Sequence, residues 1–206
     1  MQYKNMLARY SYKWVLIGAL VSGMVVLAVF PALSAKKVKD ETLEATAMGT
    51  GTQMGQTIGI SVEIYEYSTP EDKQILISAF NKGQNQGLVN ALTKMHAVGH
   101  ISITGTIGYD LAFVHLIPTA NGRKIRFVTN RQLRFGEVWA DAQSTAFNLT
   151  AGEFDLDNTD KSKSTGVLYP ECQLVIDKQG QLQVQLNQNA WKLVDVIDWK
   201  GTPGVN

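Results

Sequence analysis

Cysteine is almost absent from this chain, which has Cys172 alone among its 206 residues. An intramolecular disulfide is therefore excluded, whatever the compartment. A nucleophilic role for Cys172 would need a histidine partner, and the local sequence spacing supplies none. We expect Cys172 to be a small buried apolar residue in a strand.

The chain also lacks an excess of charge of either sign, with 19 basic and 18 acidic residues. Lys4, Arg9 and Lys13 lie in the first 35 residues, which contain no acid, so acidic residues outnumber basic ones in the remainder. This near-neutral balance gives no argument for binding to nucleic acid or to an anionic membrane, and we expect no nucleic-acid partner.

The motifs of the common phosphate and metal sites are absent as well. Residues 48–59 contain four glycines, but they lack the GxxxxGK[ST] order of a phosphate-binding loop. No HExxH zinc motif occurs. We therefore expect no cofactor.

One apolar run is present near the N-terminus, from Val15 to Phe30, and it follows a basic segment. Pro31 and small residues come next, which is typical of a signal peptide. The run is short for a bilayer span, although residues 14–33 reach the length of a tilted membrane anchor. Residues 1–35 are thus predicted to be a signal peptide or an N-terminal anchor. Either interpretation exports the remainder to the periplasm or the cell exterior, with membrane contact through the N-terminal segment only.

Residues 36–56 are polar or rich in glycine, and they are predicted to form a flexible linker, with a frayed first strand as the alternative for residues 36–44. From Ile58 to Ile64 apolar residues alternate with others, which indicates a half-buried strand. Thr69 and Pro70 then begin a helical pattern whose apolar stripe is followed by a second stripe ending before Gly99. These stripes predict two short helices joined around residues 81–86.

After His100 the pattern returns to strands rich in β-branched and aromatic residues. Hairpins are indicated at Asn121-Gly122 and at residues 178–180. The segment 190–199 fits helix or strand, and strand is favoured. The predicted fold is α+β over residues 57–200, with an N-terminal strand, two short helices and a mostly antiparallel sheet forming a sandwich or an open barrel. Residues 201–206 would be a tail.

A basic stretch covers residues 122–137, with no acid between Asp110 and Glu137. Arginine is suited to bidentate recognition of phosphate or carboxylate. The candidate anion-binding residues are Arg123, Lys124, Arg126, Arg131 and Arg134. The alternative is a solvated face that prevents edge-to-edge sheet pairing.

An acidic stretch follows, in which Glu153, Asp155 and Asp157 alternate with apolar residues and so share one strand face. Carboxylates outside the cytoplasm can bind calcium, although the EF-hand pattern fails here. They could also serve as the general acid and base of a hydrolase. The remaining alternative is an exposed strand edge.

The segments STPEDKQILISAFNKGQNQGLVNAL, GRKIRFVTNRQLRFGE and KSKSTGVLYP resemble a family of uncharacterised exported bacterial proteins. The resemblance covers most of the chain after residue 35. It implies export and a bacterial source, and it assigns no activity or functional residue.

These observations favour a non-enzymatic exported domain that binds an envelope protein or an anionic ligand through its basic sheet face. One alternative is an envelope hydrolase that uses the carboxylates near residues 153–157. The other is a membrane-anchored structural or assembly component.

Overall fold

The alternating sequence pattern becomes a ten-stranded antiparallel sheet in the computed structural model, which describes residues 40–133, 146–178, 180 and 182–199. All described residues belong to one compact unit, Ser34–Asn206. In chain order the strands are β1 (Glu41–Met48), β2 (Thr57–Ile64), β3 (Gly99–Ile103), β4 (Tyr109–Leu111), β5 (Phe113–Pro118), β6 (Gly122–Thr129), β7 (Leu149–Asp157), β8 (Thr165–Ile176), β9 (Leu182–Leu186) and β10 (Trp191–Asp198). One α-helix, α1 (Pro70–Leu92), connects β2 to β3.

The sheet curls into a nearly closed barrel. Its strand order is β4-β3-β2-β1-β10-β8-β7-β6-β5, with β9 paired to β8 beside this path. The two end strands, β4 and β5, are separated in the chain by Ala112 alone. Ser68 bonds to the edge of β5, because its amide donates to the Val114 carbonyl at 2.8 Å and its hydroxyl accepts from the Val114 amide at 3.0 Å. The barrel is therefore closed by the tight bend at Ala112 and by Ser68, which lies in the segment before α1.

The barrel interior holds the main hydrophobic core. Alternate residues of each strand point inward, as the pleat requires, and one ring contact joins Phe127 to Phe154 at 5.9 Å. Gly152 lies under the Phe127 ring, where an added Cβ would approach the ring to 2.3 Å. The largest fully buried side chains include those of Trp191, Phe127, Phe154, Leu43, Ile64 and Ile101.

Helix α1 packs on the outer face of the sheet and forms a second apolar cluster there. Thr69 and Asp72 form a capping box at its start, and Pro70 occupies the first turn. Leu76, Phe80, Leu88 and Leu92 contact Cys172 and Leu149 of the sheet within this cluster. Packing of this one stripe accounts for most of the stability of such a helix.

The predicted α+β class with two short helices is wrong, because the fold is mainly β with one helix outside a barrel. The predicted junction between helices is a kink within α1, where Gly83 and Gln84 leave helical geometry and Gln84 has φ of 50°. The two apolar stripes belong to the two sides of this kink. They pack on the same sheet face, so they do not form a separate helical layer.

The prediction of a flexible linker over residues 36–56 is corrected by β1, which lies inside that range. Strand β1 pairs with β2 along its whole length and with β10 on its other side. Leu43, Ala45 and Ala47 point into the core. The strand was missed because its polar outward residues and small inward alanines give a weak alternating signal. The predicted strand over residues 58–64, both hairpins and the strand near 190–199 are confirmed.

Candidate functional site

The predicted basic and acidic faces are neighbours on one surface. Strands β6 and β7 pair so that Lys124 lies opposite Asp155 and Arg126 lies opposite Glu153. The Lys124 ammonium is 3.0 Å from Glu153 Oε1 and 2.9 Å from Asp155 Oδ2. Arg126 Nε donates to Glu153 Oε2 at 2.5 Å. The two sets of charges therefore neutralise one another, as opposite charges do in cross-strand pairs.

The ionisation of these side chains reflects their pairing. Hydrogen bonds to Asp155 and then to Glu153 raise the pKa of Lys124. Partial burial alone would raise the pKa of Glu153, but hydrogen bonds and charges from Arg126 and Lys124 outweigh burial and lower it. Lys124 and Glu153 are thus held in their charged forms, and the cations of Lys124 and Arg126 are occupied by internal partners.

Arg123 does not lie on this face. It starts the inward-facing series that continues with Ile125 and Phe127, and its side chain is only 11% exposed. The guanidinium bonds to both carboxylate oxygens of Glu41, and its Nη2 is 2.6 Å from Asp198 Oδ2. The prediction that Arg123 belongs to an external anion site is therefore corrected. Its position in the strand directs the side chain into the end of the barrel.

A second buried contact completes this internal cluster. The Tyr67 hydroxyl donates to Glu41 Oε2 at 2.6 Å. Burial, followed by the hydrogen bond and charge of Glu41, raises the pKa of Tyr67 well above its usual value. Glu41 has no exposed surface, so its carboxylate belongs to a buried structural ion pair.

The three predicted calcium ligands are not gathered around a common point. Glu153 and Asp155 contact basic residues, as described above. Asp157 instead closes the following turn, where Oδ1 accepts bonds from Thr159 and from the Asp160 amide at 2.9 Å. Bonds from Thr159 and the Asp160 amide lower the pKa of Asp157. No group of three or more His, Cys, Asp or Glu side chains able to hold a metal occurs in residues 40–133, 146–178, 180 and 182–199.

Arg131, the fourth predicted anion-binding residue, follows the end of β6. Arg131 is exposed and lines a polar cavity of about 410 Å³. The same cavity is lined by His100 and Asp110, whose side chains are 3.2 Å apart. Arg134 lies outside the described residues. Arg131 is therefore a predicted anion-binding residue that the structure places beside a cavity.

A different cavity has predominantly apolar walls. It is a groove of about 370 Å³ between α1 and the outer faces of β5, β6 and β8. This α1 groove, as we call it, has walls formed by Leu76, Ile77, Phe80, Leu88, Phe113, Val128, Leu174 and Ile176. Its volume falls within the range of about 300–1,000 Å³ that is usual for small-molecule sites.

Apolar side chains at the groove remain partly open to solvent. Ile77 is 43% exposed and Ile176 is 44% exposed. The apolar stripes of the sequence predicted helices and no groove. Ile77, which lies beside Leu76 in the same helix, is the residue that could have indicated an additional apolar surface.

Positive charge lies at the rim of the groove. Lys73 lines it, and within the described part of the chain the Lys73 ammonium forms no salt bridge. His115 stacks on Phe113, a wall residue, with ring centroids 6.0 Å apart. Burial lowers the pKa of His115, and the nearby charges of Lys73 and Arg126 lower it further. The arrangement suits an elongated apolar molecule with one anionic end.

Cys172 lies beneath α1 in the second apolar cluster and is fully buried. Burial raises the pKa of its thiol to about 12, so the reactive thiolate is scarce at neutral pH. Cys172 thus has the surroundings of a structural residue.

The described residues contain no helix that has both the length and the apolar character needed to span a bilayer. The predicted N-terminal segment, residues 1–35, lies outside the described part of the chain. Comparison of the sequence and fold with protein-family models, curated proteins and solved structures gives no significant match. The resemblance to a family of exported bacterial proteins stays a prediction.

Proposed function

We propose that this chain is a non-enzymatic binding domain of the cell envelope and that the α1 groove binds an elongated apolar molecule with an anionic head group. A fatty acid represents this ligand class. The supporting observation is the combination of an apolar, concave wall with Lys73 at its rim. Export by the N-terminal segment belongs to the same proposal, because it would bring the groove to a compartment that adjoins membrane lipids.

The groove replaces the basic sheet face as the proposed contact surface. Lys124 and Arg126 are engaged by carboxylates of β7, so an anionic ligand would have to compete with existing partners. The hydrolase alternative is disfavoured for a similar reason, because the Glu153 carboxylate already accepts hydrogen bonds from two cations. Ile77 and Ile176, by contrast, would lose solvent exposure when a ligand enters the groove, and burial of apolar area favours binding by about 25 cal/mol per Å².

Replacing Ile77 by glutamate should weaken binding of dodecanoate at least tenfold. The new carboxylate would stand in the groove wall and would lose hydration when an acyl chain enters. Titration calorimetry of the delipidated full chain with dodecanoate measures the effect. Ile75→Glu is the matched control, because Ile75 lies on the same helix, is 52% exposed and does not line the groove. Equal binding by the two variants would contradict the proposed site.

Replacing Lys73 by glutamine should weaken dodecanoate binding several-fold and leave dodecanol binding nearly unchanged. Dodecanol has the same chain without the charge, so the difference between the two ligands isolates the contribution of the ammonium group. Added salt should reduce the preference for dodecanoate in the unmodified chain, because Lys73 is exposed. An equal loss for both ligands would remove the head-group assignment, and undetectable binding of both by the unmodified chain would remove the proposed function.

A further inference from the structure

Strand β9 is the one described strand that stands beside the closed path of the barrel. It pairs with β8 from Cys172↔Leu186 to Ile176↔Leu182, and no strand within the described ranges pairs with its other edge. A sheet edge of this kind presents backbone amide and carbonyl groups in the spacing that another strand needs. β9 is therefore a candidate surface for strand addition.

The usual protection against strand addition is missing from β9. Its residues, Leu182–Leu186, include no charged residue and no proline, the two features that most often prevent edge pairing. Val184 is 46% exposed and Leu186 is 39% exposed. Ile176 of the paired strand continues this surface with 44% exposure. The hairpin thus presents both an open edge and an apolar face.

The sequence of β9 indicates which strand would fit. Leu-Gln-Val-Gln-Leu reads the same in both directions. Two copies paired antiparallel about a two-fold axis at Val184 would place Val184 opposite Val184 and Gln183 opposite Gln185. Like residues would therefore meet like residues along the whole strand, with no residue out of register.

The β8–β9 hairpin already contains this kind of pairing. Gln173 Nε2 donates to Gln185 Oε1 at 2.9 Å on one face. Leu174 lies opposite Val184, so apolar residues pair on the other face. A second copy of β9 would repeat both patterns across the open edge, and cross-strand pairs of these types stabilise sheets.

We propose that two copies of this chain associate through antiparallel β9–β9 pairing centred on Val184. The resulting surface joins the two β8–β9 hairpins into a four-stranded sheet. The proposal rests on β9 and is independent of ligand binding in the α1 groove. Because the contact is five residues long, we expect a concentration-dependent dimer weaker than about 1 μM, as is usual for small interfaces.

Sedimentation of the full chain over a range of concentrations tests the association. The unmodified chain should shift from monomer to dimer, and Val184→Lys should raise the dissociation constant at least tenfold, because two like charges would face each other at the axis. Ile197→Lys is the matched control, since Ile197 is 47% exposed on β10, away from β9, and should leave the equilibrium unchanged.

Cysteine crosslinking tests the register. Directly opposed residues in an antiparallel pair have Cα atoms about 4.5–5.5 Å apart, which a disulfide can bridge. Val184→Cys should therefore form a disulfide dimer under mild oxidation, whereas Ile197→Cys should not, and Cys172 is too buried to interfere. The proposal is overturned by a monomer at every concentration, by equal dissociation constants for the two lysine variants, or by equal crosslinking of the two cysteine variants.

Discussion

Replacing Arg123 by methionine should lower the free energy of unfolding by about 3–5 kcal/mol, the usual cost of leaving a buried charge without its partner. Glu41 has no exposed surface, and its two carboxylate oxygens accept bonds from the Arg123 guanidinium. Methionine would preserve much of the side-chain volume at the end of the barrel. The loss would therefore report the removal of the guanidinium bonds that Glu41 accepts from Arg123.

Urea unfolding followed by tryptophan fluorescence measures this change. Arg126→Met is the matched control, because Arg126 lies on the same strand with its side chain 58% exposed and paired at the surface. We expect that control to cost about 0–1 kcal/mol. Adding Glu41→Gln to Arg123→Met should recover part of the loss, because a neutral amide is less costly to bury than a carboxylate. Equal costs at the two arginines would contradict the buried ion pair.

Replacing Asn85 by alanine should lower the free energy of unfolding by about 2–4 kcal/mol, since a lost bond that leaves a buried polar group unsatisfied costs about 1–3 kcal/mol. Asn85 follows the kink in α1 and is 8% exposed. Its Oδ1 accepts from the Leu174 amide at 2.9 Å, and its Nδ2 donates to the Ala146 carbonyl at 3.1 Å and to Asn148 Oδ1 at 2.8 Å. Alanine can replace none of these bonds.

Asn90→Ala is the matched control for this prediction. Asn90 lies on the same helix, is exposed and accepts one bond from the Gln86 side chain at 2.9 Å. Its replacement should change stability by no more than about 0.5 kcal/mol. Hydrogen exchange gives a second reading, because the Leu174 amide should lose protection in Asn85→Ala alone. Unchanged exchange at Leu174 would show that Asn85 does not cap this edge of β8.

Local sequence patterns predicted the parts of the fold that depend on neighbouring residues. The alternation at residues 58–64 and the turn at Asn121-Gly122 both contain enough information within a few positions. The order of the strands in the sheet depends on pairing between distant segments. A local sequence period does not indicate that order. The choice between a sandwich and a barrel could therefore not be made from the sequence, and neither could the position of β1 between β2 and β10.

The contacts of the candidate site residues could not be predicted for the same reason, with one exception. The neutralisation of Lys124 by Glu153 and Asp155 depends on the register between β6 and β7, which the sequence does not state. The orientation of Arg123 was available, because it shares strand parity with the buried Ile125 and Phe127. Because the basic residues were treated as one charged group, the inward orientation of Arg123 was overlooked. The α1 groove required knowledge of which sheet face the helix covers.

The placement of β1 determines when this chain can complete its fold during synthesis. The strand nearest the N-terminus of the described region needs the last one, β10, as its partner, with Leu43 opposite Asp198. Such pairing gives a high contact order, which slows folding. While the chain is elongating, β1 and β2 can form a hairpin, but the β10-facing edge of β1 remains open until residue 198 has emerged. A nascent or truncated chain that lacks β10 would therefore expose this edge and be prone to aggregation.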